Sequence, residues 1–338
     1  MKKYGTFSNI DFVKFFMAIF VIAIHTNLIE NCNNVAINRL FYSIVSLAVP
    51  FFFMSSGFLL GNKIIQGTDG SIANLQVLRK HILKIVKLYV IWSIIYMPLA
   101  IYYFIHNNIP LMSAFYSYFR GFFLIGENYN SWILWYLLST IYALIGIYIL
   151  LKKNINIKTI FLIGIFMSFF GFLLDYISTI NSDSNLLNTI SKIIRCTIRD
   201  GRLTNGFLYI YFGFFASKFK ISFKTSLCIF LICFVLSLFF DDGIIFKILR
   251  IFYATSFFVL VLNWNLKLSL NYLLLRTLGT VMYFIHLYIW TGYYFIIYGH
   301  KNGGLDSFIV VTLISVLVGI IYYYVKPNLK KITWLFNK

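Results

Sequence analysis

The sequence predicts an all-α bundle of transmembrane helices, about ten spans, with both termini in the cytoplasm. Three observations carry that expectation. Charged residues make up 12% of the 338, half of the ~25% usual in soluble domains, while 60% are hydrophobic and mean hydropathy is +0.83. The apolar residues fall into runs close to the ~20 residues that cross a bilayer. Lys and Arg gather in the short segments between those runs, as cytoplasmic loops do.

In chain order the predicted spans are 9–28, 41–61, 86–106, 132–151, 158–177, 204–217, 225–240, 247–264, 277–298 and 306–325. The first run carries Asp11, Lys14 and His25 and lacks a small-residue cleavage site, so it reads as a retained helix and not as a signal peptide. The second holds Pro50, which can kink it, and Ser56-Gly57, a small face that lets another helix approach. A longer inner loop, 62–85, ends in a basic stretch. The spans 204–217 and 225–240 are short. The outer segments 107–131 and 178–203 are the longest outside, and each is placed to cover a site. The basic tail after Val325 is expected to lie on the inner membrane surface. With the N-terminus inside, basic residues of the inner segments outnumber those outside by two to one. No second domain is expected within 1–338.

The net charge of +19 would suggest a nucleic-acid partner in a soluble protein. Here its distribution follows membrane topology, so no nucleic acid is expected. The four cysteines form neither a CxxC pair nor a Cys/His box, so no metal is expected.

Ionisable groups inside a span cost ~2.5–3.5 kcal/mol each on insertion scales and need a reason. Lys14 and His25 are eleven residues apart, nearly on one helix face and ~16 Å apart along the axis. Asp11 lies one turn below Lys14 and can pair with it. One stripe thus carries a cytoplasmic ion pair and, deeper, a histidine able to take a proton from a hydroxyl. The alternative for Asp11 and Lys14 is a simple marker of helix entry. The run from Arg79 to Tyr89 places Arg79, Lys80, His81 and Lys84 where the positive-inside bias would put them. They also suit the phosphates of a nucleotide-like cofactor.

Taken together, these residues resemble the acyltransferase 3 family of integral membrane acyltransferases. Lys14 and His25 match the basic residue and histidine that the family separates by ten intervening residues on its first helix. The family's usual residue at the first of these is Arg, so Lys14 keeps the charge but not the bidentate fork. Ser56, Gly57 and Phe58 look like the centre of its second-helix motif. Lys80, His81 and Lys84 fall where it commonly has Arg. Gly126 with Trp135 and Tyr136 looks like its Gly and Trp-Tyr-Leu element, Arg202 and Asn205 like a displaced Arg-Asn-Gly element, and Tyr283 with His286 like its Tyr-x-x-His motif. The resemblance runs from Ile10 to about Val325. No counterpart of the extracytoplasmic hydrolase-like or racemase domains of some members is expected within 1–338.

The resemblance implies an O-acyltransferase in a bacterial inner membrane that takes an acyl group, expected to be acetyl, from cytoplasmic acyl-CoA. The acceptor is a hydroxyl of a surface or exported polysaccharide. His25 is the expected catalytic residue, as general base or as acyl-imidazole carrier. Asp11, Lys14, Arg79, Lys80, His81 and Lys84 are expected to hold the donor. Ser56, Gly57, Phe58, Trp135, Tyr136, Arg202, Asn205, Tyr283 and His286 are expected to line the pocket. The other readings are a permease-like carrier of a small polar solute and a non-enzymatic part of an export machine.

Overall fold

A computed structural model describes residues 7–65, 70–179, 185–197, 202–241, 243–265 and 269–335. Among the described residues the secondary structure is helical throughout. In chain order the helices are α1 Ser8–His25, α2 Val35–Val45, α3 Ala48–Gly61, α4 Ile72–His106, α5 Leu111–Arg120, a π-helix Gly121–Ile125, a 3-10 turn Trp132–Leu134, α6 Trp135–Lys152, α7 Ile157–Thr179, α8 Asn185–Thr197, α9 Arg202–Ala216, α10 Phe223–Ser237, α11 Ile244–Asn263, α12 Tyr272–Ile297 and α13 Leu305–Leu335.

Among the described residues eight segments are long and apolar enough to cross a membrane. The chain is a helical membrane protein. The predicted spans 204–217 and 225–240 correspond to α9 and α10, each of 15 residues and about 22 Å long, short of the ~30 Å hydrocarbon core.

Three predicted elements differ in form. The second span is two helices: α2 and α3 part at Ser46 and Leu47. Pro50 therefore sits in the first turn of α3, where a missing N–H breaks no helical bond. The Tyr253 hydroxyl lies 2.7 Å from Ser46 Oγ and donates to the Ser43 carbonyl at 3.2 Å, so the interrupted backbone has a partner. The basic stretch 79–84 belongs to a helix and not to a loop. The 35 residues of α4 begin at Ile72, with the Ser71 hydroxyl capping Asn74 N, and reach about 52 Å, longer than the ~30 Å hydrocarbon core. The outer segment 107–131 is also mostly helical, as α5 and the π-helix.

The helices segregate into two compact units, Met1–Phe52 with Ser222–Lys338, and Phe53–Ile221. In the first unit α12 is packed against α1 and α13, and α10 against α11. The Asn9 amide donates to the Val261 carbonyl at 2.5 Å and ties the start of α1 to the end of α11. Val13, Met17, Ala18, Val21 and Ile22 on α1 and Met282, Leu287 and Trp290 on α12 are buried. In the second unit α9 is packed against α6 and α7, and α4 against α6. Here glycine sets the helix separations. A Cβ on Gly57 would overlap the Ile210 carbonyl, and one on Gly213 would overlap that of Met54, so α3 and α9 cross backbone to backbone.

Candidate functional site

The chemistry-bearing residues of the first unit converge on the seam between α1 and α12. Gly279 opens that seam: a Cβ there would stand 3.4 Å from Lys14 O and Phe15 Cα, so α12 lies close to α1 at this level. Two polar pairs join the helices. At one end Arg276 grips Asp11 with both prongs, Nε to Oδ1 at 2.9 Å and Nη2 to Oδ2 at 2.5 Å. At the other end the His25 and His286 rings stack, with centroids 5.3 Å apart and planes 24° from parallel. The two pairs require α1 and α12 to run parallel, the relation of odd-numbered crossings in an alternating bundle.

The Asp11 carboxylate is thus taken by α12 and not, as local spacing suggested, by Lys14. A guanidinium fork matches both carboxylate oxygens at once, and a single ammonium does not. Asp11 is 4% exposed, and the half-exposed Arg276 keeps part of its hydration. Lys14, half-buried, is influenced by both charges. Sequence reasoning counted Arg276 among loop cations. Its position ten residues before His286 repeats, within one residue, the spacing of Lys14 and His25, and that repeat was the available signal.

His286 is fully buried. Its Nδ1 lies 3.0 Å from the Met282 carbonyl, and that contact assigns the proton to Nδ1 and a lone pair to Nε2. Nε2 is enclosed and has no hydrogen-bond partner among the described residues. On α13, which is packed along α12, the Thr312 and Ser315 hydroxyls are enclosed and unpartnered in the same way. Buried polar atoms are almost always paired, so such orphans call for a ligand, a water or a chemical role. His25 is half-buried. Tyr283 packs edge-on to His286, with centroids 6.4 Å apart, and lies 5.6 Å from Phe52. Beyond the histidines, Gly304 N donates to the Thr26 carbonyl at 2.8 Å and Trp290 Nε1 to that of Asn302 at 2.9 Å. The α12–α13 connection is thereby bound to the end of α1.

The remaining predicted site residues belong to the second unit. The Ser56 hydroxyl meets the Tyr136 hydroxyl at 3.1 Å, and Phe53 packs on Trp135 and Tyr136 at 5.8 and 4.5 Å. Gly57 is the close contact of α3 with α9, and Phe58 is buried. Asn205 is half-buried on α9, one residue before Gly206, whose N–H donates to Ser139 Oγ. Arg79, Lys80 and Lys84 are exposed on the first half of α4, and His81 is half-buried between them. Arg202 begins α9, and its side chain lies outside the described residues. Among the described residues no cluster of three His, Cys, Asp or Glu side chains could hold a metal ion.

A helical membrane protein whose α1 and α12 are joined by a part-buried ion pair and a histidine pair has the makings of a membrane-embedded enzyme. The chain belongs to the acyltransferase 3 family, whose acyltransferase domain matches residues 7–324. Two relatives from Enterococcus faecalis bear the name amino-acid racemase. One is 29% identical over 198 residues, which are 57% of this chain and 25% of that protein. The other is 27% identical over 146 residues, 43% of this chain and 20% of that protein. The chain thus spans at most a quarter of the curated relatives it matches. No solved structure matches it.

Proposed function

We propose that the protein is a membrane O-acyltransferase that moves an acyl group, acetyl in the simplest case, from cytoplasmic acyl-CoA to a hydroxyl of an exported or surface glycan. The observation that carries this reading is the stacked His25–His286 pair, with an enclosed lone pair on His286 Nε2, in a chain of an acyltransferase family. Acyl transfer to an alcohol needs a base for the hydroxyl proton, and an imidazole is the side chain suited to that at neutral pH. In the general-base form His25 removes the proton and the alkoxide oxygen bonds to the thioester carbonyl carbon. The carbon–sulfur bond then breaks, and the departing thiolate takes up the proton. In the covalent form a His25 nitrogen bonds to the carbonyl carbon as the carbon–sulfur bond breaks, and the acceptor oxygen then displaces the imidazole while its proton passes to the departed thiolate.

The donor's charge supports the rest of the assignment. Coenzyme A phosphates suit the exposed cations Arg79, Lys80 and Lys84, with His81 beside them, on the first half of α4. Asp11 and Lys14 lie on the His25 helix and, with Arg276, set the charge beneath the histidine. Termini in the cytoplasm of a bacterial inner membrane place those cations on the acyl-CoA side. Ser56, Gly57, Phe58, Trp135, Tyr136, Arg202, Asn205 and Tyr283 are assigned to the pocket and its supports.

Purified protein in detergent, given radiolabelled acetyl-CoA and cell-envelope glycan, is expected to label the glycan, and His25→Ala to abolish labelling. Labelling by the variant at the wild-type rate, or none by wild type with any envelope glycan, rejects the proposal. A second reading, a carrier for a small polar solute, draws on the racemase-named relatives, whose name concerns amino acids. Uptake of a labelled amino acid into sealed vesicles without acyl-CoA would favour it.

A further inference from the structure

The α12–α13 connection closes the histidine seam at one end. His25 is the last residue of α1, and Thr26, the next one, is buried. Its carbonyl accepts from Gly304 N at 2.8 Å. Trp290 lies one turn beyond His286 on the same face of α12. It is buried and donates its indole N–H to the Asn302 carbonyl at 2.9 Å. Lys301 Nζ stands 5.1 Å from the centroid of the Trp290 ring, a cation–π contact. The chain from Tyr298 to Gly304 therefore crosses from α12 to α1 just past the stacked rings, as a strap over the seam.

The strap is built to hinge. Tyr298 at its start donates to Asp306 in the first turn of α13, as does Tyr293, so its two ends are held together. Just inside those anchors Gly299 and Gly304 have φ 71° and 125°, angles that glycine alone adopts readily. A side chain on Gly299 would meet nothing within 4 Å, so that glycine serves the backbone angle and not a close contact. Between the hinges the strap sits tightly on the end of α1. A Cβ on Gly303 would overlap the Glu30 carboxylate and stand 2.9 Å from Asn27 Cβ. The fastenings at Thr26 and Trp290 are single hydrogen bonds that a small rise of the strap would break.

Acyl transfer to an acceptor from the far side sets two demands on this end of the seam. The reacting acyl group needs shelter from water, and the acceptor hydroxyl needs a way in. A fixed wall meets only the first demand. A hinged strap meets both.

We infer that the strap 299–304 is a gate on the acceptor side of the histidine pair, which leaves Thr26 and Trp290 to admit the acceptor and returns to exclude water. The inference rests on the proposed function for the side from which the acceptor comes, but the movement is read without catalysis. A thiol beneath the strap reports it. Thr26→Cys keeps the carbonyl that Gly304 N uses. In the full-length protein without its native cysteines, a membrane-impermeant maleimide added outside intact cells is expected to label the Thr26→Cys thiol slowly. Adding Gly303→Val, which pushes the strap off α1, is expected to speed labelling about tenfold, the worth of one hydrogen bond. Trp290→Phe removes the other fastening and is expected to act in the same direction. Asn27→Cys with Gly303→Cys supplies the opposite variant, since the two Cβ positions are within about 1 Å of disulfide spacing. Once oxidised, this pair is expected to lose most acyl transfer to glycan with acetyl-CoA affinity unchanged, and a phosphine reductant to restore it. Equal labelling of Thr26→Cys with and without the two loosening changes, or full transfer by the oxidised pair, overturns the inference. Absence of transfer by the wild type counts against the acyltransferase reading, and the labelling rates then decide the gate alone.

Discussion

Two helix crossings in this protein use opposite means. The α3–α9 crossing is backbone on backbone, with Gly57 against Ile210 and Gly213 against Met54. The α1–α12 crossing brings Asp11 to Arg276 and His25 to His286. The first depends on the absence of side chains at Gly57 and Gly213. The second inserts four ionisable side chains into a membrane helix pair, at a cost that packing does not require. Motifs that look alike in a sequence therefore divide into those that let helices approach and those that place charge and protons. The catalytic assignment belongs to the second kind.

The sharpest break between the crossings is in activity. His25→Ala is expected to lower acyl transfer by about 10²–10⁴, the usual contribution of a positioned acid–base group, while the melting temperature in detergent stays near wild type. At the α3–α9 crossing the effect reverses. Gly57→Val forces a side chain against the Ile210 carbonyl and is expected to cost about 1–3 kcal/mol or more in stability, read as a lower melting temperature and a smaller folded yield. Asp11→Asn tests the ion pair of the α1–α12 seam. It keeps the shape but removes the charge that Arg276 answers, for a loss of about 1–3 kcal/mol because Arg276 is half-exposed, and restoration by an Asp11→Glu variant separates charge from packing. The smallest change in stability is Ser56→Ala, which removes the hydroxyl that meets Tyr136 and is expected to cost about 0.5–1.5 kcal/mol, read as a slightly lower melting temperature.

Much of this was legible in the sequence. Hydropathy and loop charge gave the helical membrane class, because lipid leaves few other backbone solutions. The eleven-residue step from Lys14 to His25 located the polar stripe, and Ser56-Gly57 marked a close crossing. What was not legible is pairing across distant helices. A stripe on α1 shows that a partner exists but not which helix provides it, so the neighbouring Lys14 was the natural choice for Asp11 until α12 brought Arg276. The turn at Ser46 and Leu47 was hidden for a related reason: uninterrupted hydropathy does not report a break that Tyr253 satisfies from another helix. The π-helix at Gly121–Ile125 escaped because its apolar residues match an ordinary helix end, and only Tyr89 and Tyr142, whose hydroxyls donate to its Phe122 and Phe123 carbonyls, distinguish it.

The central claim is that His25 and His286 act as a unit. A double-mutant cycle on thiol release from acetyl-CoA measures it directly, with His25→Asn, His286→Asn and the double variant compared at matched folded fractions. Groups that act together are strongly non-additive, so the double variant should lose no more than the worse single one. A His286→Asn enzyme with wild-type turnover, or two losses that simply multiply, would contradict the account.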